Sequence, residues 1–137
     1  MSNLEKIIND AWQNKDQVNP NSDQSLKNAI NQVINDLDSG KSRVAEKIDG
    51  EWKTHQHLKK AIMLSFRIYE NDILSGPYSV WRDRQNLLKG KTAGWTKEEF
   101  DKAGFRMVPN SPVRKGSFVG KDAVLMPCYV NIGAYIG

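Results

Sequence analysis

The chain has 137 residues, with 20 Lys or Arg against 16 Asp or Glu, a formal net charge of +4 and 39% hydrophobic residues. This length suits one domain of ordinary size, and the hydrophobic content with mixed charge excludes a mainly disordered chain. The single Cys excludes an intrachain disulfide, and the polar N-terminus and short apolar runs predict a soluble, cytoplasmic protein.

The charge is unevenly distributed. Residues 1–40 contain three Lys against six acids, whereas residues 41–137 contain seventeen bases against ten acids. A basic surface suits nucleic acid or a small molecule that carries phosphate groups, and charge alone does not distinguish them. A small basic helical module that binds nucleic acid is therefore the alternative to any enzymatic function.

The first forty residues predict two amphipathic helices. Ser2 and Glu5 have the spacing of a capping box, and apolar residues then recur with helical period over residues 4–12. A second apolar stripe covers residues 26–37 and ends before Gly40. The two helices are expected to pack as a hairpin.

The pattern then changes from helix to strand and back. Residues 44–54 alternate around Asp49-Gly50, which predicts a β-hairpin. Residues 58–69 predict a third helix that is apolar around most of its circumference and therefore buried. Ile62 and Phe66 are expected to lie buried between the helical hairpin and the β-hairpin.

Residues 71–95 contain a Gly-Pro pair and several bases, and we interpret them as an irregular connection. Thr96 and Glu99 form a second capping box, which predicts a short helix that Gly104 terminates. A short strand is expected over residues 105–108.

The last twenty residues show a period of six. Phe118, Val124, Val130 and Ile136 are spaced six apart, and Cys128 falls at a position where small residues recur. This repeat is typical of a parallel β-helix whose inward residues are the large ones. Such a coil needs neighbouring coils to bury its core, so the chain is expected to be a shortened form.

These elements predict an α+β protein. Residues 1–109 form an N-terminal helical domain with a β-hairpin, and residues 110–137 begin a left-handed parallel β-helix of hexapeptide repeats.

The sequence resembles the tetrahydrodipicolinate N-succinyltransferase family of bacterial lysine and diaminopimelate biosynthesis. A series of ordered matches is more specific than any single motif. Residues 78–95 match the family poorly. The matching segments are residues 43–47, 54–56, 58–61, 64–67, 104–106, 108–109, 124–127 and 129–135.

This resemblance implies a homotrimeric acyltransferase that moves succinyl from succinyl-CoA to the amino group of ring-opened tetrahydrodipicolinate. Succinyl-CoA is a co-substrate, and no separate cofactor, metal, membrane or nucleic acid is implied. The family's catalytic groups come from solenoid coils absent from this sequence, so no catalytic residue is assigned. The choice between succinyl and acetyl donors is left open.

Arg106 is the candidate substrate-binding residue, because it matches the substrate-binding Arg of the family's Gly-Phe-Arg segment. A planar guanidinium can bind both oxygens of a carboxylate. Arg67 is interpreted as a structural ion-pair residue, with Glu46 as its suggested partner.

Three other features receive no functional role. His55 and His57 lack a third ligand nearby, so a metal site is not expected. Cys128 is interpreted as a packing residue rather than a nucleophile. The bases between Arg82 and Lys91 are interpreted as a solvated cluster.

Overall fold

The computed structural model describes residues 2–137 as a mixture of helices, two antiparallel β-hairpins and short parallel strand pairs, which confirms the α+β class. The helices are α1 (Asn3–Gln13), α2 (Gln24–Asp38), α3 (Gln56–Ser65) and α4 (Lys97–Ala103). The strands are β1 (Ala45–Ile48), β2 (Glu51–Thr54), β3 (Asn71–Ser75), β4 (Val80–Arg84), β5 (Arg106–Met107), β6 (Phe118–Val119), β7 (Val124–Leu125) and β8 (Tyr135–Ile136).

Helices α1, α2 and α3 pack against one another, as their apolar stripes predict. The Ser2 hydroxyl accepts the Glu5 N–H at 3.1 Å, so the predicted N-cap of α1 is confirmed. The centre of this helical core has no solvent exposure, but α3 is buried along one face only, because Met63 on its other side is 54% exposed. The fully buried hydrophobic residues of the core are Ile8, Ile30, Val33, Ala61 and Leu64.

Helix α3 ends at Ser65, four residues before its predicted end at Tyr69. The Ser65 hydroxyl donates to the Ile62 carbonyl at 2.7 Å, and the Arg67 N–H donates to the Leu64 carbonyl at 2.9 Å. These short-range bonds tighten the last turn and replace the regular helical ladder. Phe66 follows the helix and is half-buried rather than fully buried, as is Ile62.

The predicted β1–β2 hairpin is confirmed, with Ala45 opposite Thr54 and Ile48 opposite Glu51. Its two-residue loop is Asp49-Gly50, and both residues have positive φ, 51° and 85°. This geometry matches the right-handed twist of the strands, and it explains why an Asp-Gly pair is favoured there.

The prediction of an irregular connection over residues 71–95 is wrong for its first half. Strands β3 and β4 form a second antiparallel hairpin, with Asn71 opposite Arg84 and Ser75 opposite Val80. The Gly76-Pro77 pair begins the four-residue loop of this hairpin, residues 76–79, rather than a break. Most side chains of this hairpin are exposed, so no buried face imposed an alternating pattern on the sequence.

Helix α4 confirms the second capping box. The Thr96 N–H donates to Glu99 Oε2 at 2.6 Å, so this backbone N–H at the start of the helix has a hydrogen-bond partner. Gly104 ends the helix with a φ of 72°, in the left-handed region that glycine enters without steric cost.

After Gly104 the chain returns alongside itself in parallel. Arg106 pairs with Val124, a return of 18 residues, while Val113 pairs with Val130 and Phe118 with Tyr135, returns of 17 residues. The two later pairings are therefore one residue shorter in sequence separation than the pairing of Arg106 with Val124.

This difference corrects the predicted hexad register. The residues of this segment that are at least 94% buried include Val113, Val119, Leu125 and Val130, whereas Val124 is 50% exposed. The buried series steps by six, six and then five residues. Each short strand contains two adjacent apolar residues, Phe118-Val119 and Val124-Leu125. Successive side chains of a strand point to opposite faces, so only one residue of each pair points inward, and the sequence does not show which one.

The hydrophobic residues form two clusters. One is built from α1, α2 and α3 and also includes Ile132, while the other contains Phe105 and Val113 with Trp95 packed against it. Each cluster draws residues from both sides of residue 109. The division into domains at that residue remains a prediction.

Asp38, at the end of α2, connects the helices to the returning segment. Its Oδ1 accepts the Gly116 N–H at 2.8 Å, and its Oδ2 lies 3.0 Å from Lys91 Nζ. Lys91 Nζ also donates to the Asp38 carbonyl at 2.8 Å, and its side chain is only 6% exposed. Nearby, an added Cβ on Gly40 would meet the Phe118 ring at 2.6 Å, so the two parts approach closely.

Candidate functional site

Arg106 lies on β5, directly after the turn that ends α4. Its backbone N–H donates to the Ala123 carbonyl at 2.9 Å, and it pairs in parallel with Val124. The main chain is thus held on β7 while the side chain is exposed to solvent. The rigid backbone gives the guanidinium a defined origin on an open surface.

The position of Arg106 depends on the α4 turn. Gly104 accepts the Asp122 N–H at 2.8 Å, and an added Cβ on Gly104 would meet Lys121 Cγ at 2.8 Å. Beneath the turn, the Phe105 ring lies 5.9 Å from the rings of both Trp95 and Phe100. This aromatic cluster anchors the residue before Arg106 in the second core.

Arg106 borders a shallow surface hollow of about 360 Å³ between α4 and β7. Asp101 and Asp122 line the same hollow. Across residues 2–137 the Arg106 side chain makes no ion pair and no hydrogen bond. An exposed guanidinium without an internal partner can bind a carboxylate ligand by donating hydrogen bonds to its oxygens.

Arg67 does not pair with Glu46, so that suggestion is wrong. Its Nη2 lies 3.4 Å from Asp16 Oδ1, and its Nη1 donates to the Lys15 carbonyl at 2.9 Å. Because Arg67 follows the shortened α3, it faces the turn after α1 and is exposed instead of lying on a buried helix. Its structural role as an ion-pair residue is retained with a different partner.

His55 and His57 are engaged by carboxylates. His55 Nε2 lies 2.6 Å from Glu46 Oε1, and His57 Nδ1 lies 3.8 Å from Glu5 Oε1. Burial lowers the pKa of His57, Glu5 opposes that effect, and His55 and Lys60 add to it. Within residues 2–137 no three His, Cys, Asp or Glu side chains come together as a metal site.

Two other sequence interpretations meet a mixed outcome. Cys128 is exposed, so its interpretation as a packing residue is wrong. In the basic cluster, Arg84 donates to the Tyr69 carbonyl at 3.1 Å and Lys91 is held by Asp38. These two bases have structural roles, whereas Arg82 is exposed.

A cleft of about 540 Å³, which the sequence did not predict, lies between the β3–β4 hairpin and the segment that follows β5. Leu74 and Trp81 line its hairpin side, and Met107, Pro109 and Tyr129 line the opposite side. Its aromatic residues Tyr78 and Trp81 have no alternating pattern around them that would predict a cleft.

A second unpredicted feature is a stack beside the final strand. The Arg43 guanidinium lies 3.4 Å from the centre of the Tyr135 ring, and that ring lies 4.5 Å from the Phe118 ring. Arg43 therefore stabilises the last strand by a cation–π contact. None of the helices described in residues 2–137 has the length and hydrophobicity to cross a bilayer.

Comparison with known proteins finds one family over the first half of the chain. Residues 3–68 match the family model described as tetrahydrodipicolinate N-succinyltransferase N-terminal. Many curated proteins match along nearly the whole chain. The chain is thus similar to a class of N-succinyltransferase sequences.

Three relatives carry the name 2,3,4,5-tetrahydropyridine-2,6-dicarboxylate N-succinyltransferase. The Pelagibacter ubique protein is 65% identical over 136 residues, which cover 99% of this chain and 50% of the relative. The Actinobacillus succinogenes protein is 51% identical over 134 residues, and the Dechloromonas aromatica protein is 50% identical over 133; each match covers 97% of this chain and 48% of the relative.

The chain spans about half the length of the curated relatives it matches. Over its length the chain is similar to the N-terminal half of those proteins, and the family model matches its residues 3–68.

Proposed function

We propose that this chain is the N-terminal part of an acyltransferase that transfers succinyl from succinyl-CoA to the amino group of ring-opened tetrahydrodipicolinate. The observation that carries the proposal is identity of 65% with a relative of that name along 99% of the chain. The reaction would place the protein in lysine and diaminopimelate biosynthesis, in the cytoplasm.

Arg106 is proposed to bind a carboxylate of the acceptor. The acceptor is a dicarboxylate, so a planar cation that binds both oxygens of one carboxylate can set its orientation. Support comes from the exposed guanidinium, which has no partner in residues 2–137, and from the backbone bond to Ala123 that fixes its origin.

In the proposed reaction the acceptor amine attacks the thioester carbonyl, its proton passes to a base, and the CoA thiolate leaves. A base and donors to the tetrahedral oxyanion are needed. The hollow around Arg106 contains no His or Cys in the part of the chain described. Residues 2–137 are therefore proposed to supply binding and orientation, and the remaining half of the protein to supply the chemistry.

Residues 110–137 are proposed to begin a left-handed parallel β-helix, built from hexapeptide repeats and extended in the whole protein. Parallel returns of 17 and 18 residues, close to three hexads, support this proposal. Three copies of the whole protein are proposed to assemble as a homotrimer. Because Arg84 and Lys91 bond within the fold, the basic cluster does not favour the nucleic-acid alternative.

The test of Arg106 requires an active protein, so residues 1–137 would replace the matching half of the Pelagibacter ubique relative. We expect Arg106→Lys to raise the KM for the acceptor at least tenfold while changing the KM for succinyl-CoA less than twofold. Lys keeps the charge but loses the two-point contact.

The matched control is Arg82→Lys, an exposed Arg on the β3–β4 hairpin that should leave both constants unchanged. An unchanged acceptor KM in Arg106→Lys would refute the assignment of this residue. An inactive chimera that folds and binds neither substrate would instead argue against the proposed function as a whole.

A further inference from the structure

The cleft between the β3–β4 hairpin and the segment after β5 has the dimensions of a pocket for a small molecule. Its volume of about 540 Å³ lies within the range of about 300–1,000 Å³ that is typical of ligand pockets. Leu87 and Val113 line it and are only 4% and 5% exposed, and they belong to the two different hydrophobic clusters. Part of the cleft wall is therefore fixed by both cores of the fold. Arg106 does not line this cleft.

The aromatic side chains that line the cleft are Tyr78, Trp81 and Tyr129. The Trp81 ring lies against Gly76, where an added Cβ would be 2.1 Å from Trp81 Cζ3. The Tyr78 ring meets the Trp81 ring edge-on, with 5.5 Å between the ring centres. These two rings are held in place by each other and by the glycine, although they are 77% and 39% exposed. Aromatic surface that is positioned in advance favours stacking with a planar ligand.

The polar side chains of the cleft supply hydrogen-bond donors for an anion. Asp83, the one acidic residue of the lining, is paired with Arg114. Lys89 and Asn110 also line the cleft, and across residues 2–137 their side chains make no hydrogen bond and no ion pair. Two bases against one acid leave the lining with a single positive charge. Such a lining is complementary to a ligand with one negative charge.

These features favour a small ligand over a charged protein surface. Residues 71–84, which form the β3–β4 hairpin, carry two bases and two acids, so the hairpin has no net charge to attract such a surface. The free donors of Lys89 and Asn110 lie instead in the lining of the cleft. A mostly apolar cleft with a few convergent polar groups is the usual form of a small-molecule site.

We propose that this cleft binds a small planar aromatic molecule that carries one negative charge, such as an aromatic carboxylate. The aromatic ring of the ligand packs against Trp81 and Tyr129, and its anionic group is bound by Lys89 and Asn110. This site acts independently of Arg106 and of the proposed succinyl transfer.

1-Naphthoate and its neutral analogue 1-naphthamide test the proposal, because they share a ring system and differ in charge. Backbone amide NMR signals of the 137-residue chain measure the dissociation constants and also locate the ligand. We expect 1-naphthoate to bind about threefold more tightly than 1-naphthamide, or better, and to shift the signals of Thr92, Val113 and Tyr129. Absence of saturable binding of 1-naphthoate, or shifts that centre outside the cleft, would overturn the proposal.

Two pairs of variants separate the charge from the aromatic contact. Lys89→Met should raise the dissociation constant of 1-naphthoate about threefold and leave that of 1-naphthamide unchanged, whereas Lys115→Met, at an exposed base outside the lining, should change neither. Trp81→Ala should weaken both ligands about fivefold, whereas Trp52→Ala, at a residue 74% exposed outside the lining, should weaken neither. Equal effects of Lys89→Met and Lys115→Met on 1-naphthoate would refute the assignment.

The chimera described above shows whether the rest of the protein leaves the cleft open. We expect the chimera to bind 1-naphthoate with about the same dissociation constant as the 137-residue chain. Loss of binding in the chimera would overturn the proposal, because the other half of the protein would then fill the cleft. These experiments measure binding alone, so their failure is distinguishable from loss of succinyl transfer, which tests the proposed function.

Discussion

The ion pair between Lys91 and Asp38 is predicted to stabilise the connection between the helices and the returning segment. The Lys91 side chain is 6% exposed and Asp38 is 26% exposed, with 3.0 Å between Nζ and Oδ2. Removing one partner of a buried pair costs about 3–5 kcal/mol, because the other charge remains unpaired. Since water reaches Asp38, we expect Lys91→Met to lower the free energy of unfolding by about 2–3 kcal/mol.

Asp38→Asn separates the charge from the hydrogen bond. The Asn carbonyl oxygen can still accept the Gly116 N–H that Asp38 Oδ1 accepts at 2.8 Å, so mainly the attraction to Lys91 is lost. In the double variant with Lys91→Met no charge is stranded. We therefore expect the sum of the two single losses in unfolding free energy to exceed the loss in the double variant, with a coupling energy of about 1–2 kcal/mol.

Urea unfolding followed by circular dichroism measures these free energies, provided that the slope against urea is unchanged among variants. The control is Lys97→Met, which breaks an exposed pair with Asp101 on α4 and should cost less than about 0.5 kcal/mol. If Lys91→Met costs no more than Lys97→Met, the buried pair does not hold the two parts together.

Two further predictions concern the helical core. Leu64→Ala should lower the free energy of unfolding by about 3–4 kcal/mol, because Leu64 has no solvent exposure. Phe66→Ala should cost less than Leu64→Ala, because Phe66 is half-buried. Urea unfolding compares the two variants, and the reverse order would contradict this packing. Burial lowers the pKa of His57 from its usual 6.5, so the unfolded chain binds the proton more readily and stability falls as the pH drops from about 6.5 through the lower folded pKa. His57→Asn should flatten that decline in Tm between pH 7.5 and pH 5, and an identical pH dependence in the variant would disprove the role of His57.

The local signals of the sequence were sufficient where one residue type dictates the backbone. Asp49-Gly50 adopts the two positive φ values that its hairpin needs, and Gly104 adopts the left-handed cap of α4. The helices of the first core followed equally well from their apolar period, because one face of each is buried against the others.

The β3–β4 hairpin could not be found in the same way. A strand pair with both faces largely exposed has no alternation of apolar and polar residues for a pattern to detect. The partner of Arg67 was missed for a related reason. Its assignment to Glu46 assumed that α3 continued to Tyr69, whereas the helix ends at Ser65 and the chain turns toward Asp16.

Arg106 could be chosen only through the family resemblance, since an exposed Arg on a two-residue strand has no pattern of its own. The structure adds the physical requirements of that position. Phe105 is buried beside Trp95 and Phe100, the Arg106 N–H is bonded to Ala123, and Gly104 permits the turn between α4 and β5. Each of these three features constrains the backbone and leaves the guanidinium in solvent. The fold thus fixes the backbone from which a permanent cation extends into solvent, and this is the feature that the Arg106→Lys experiment tests.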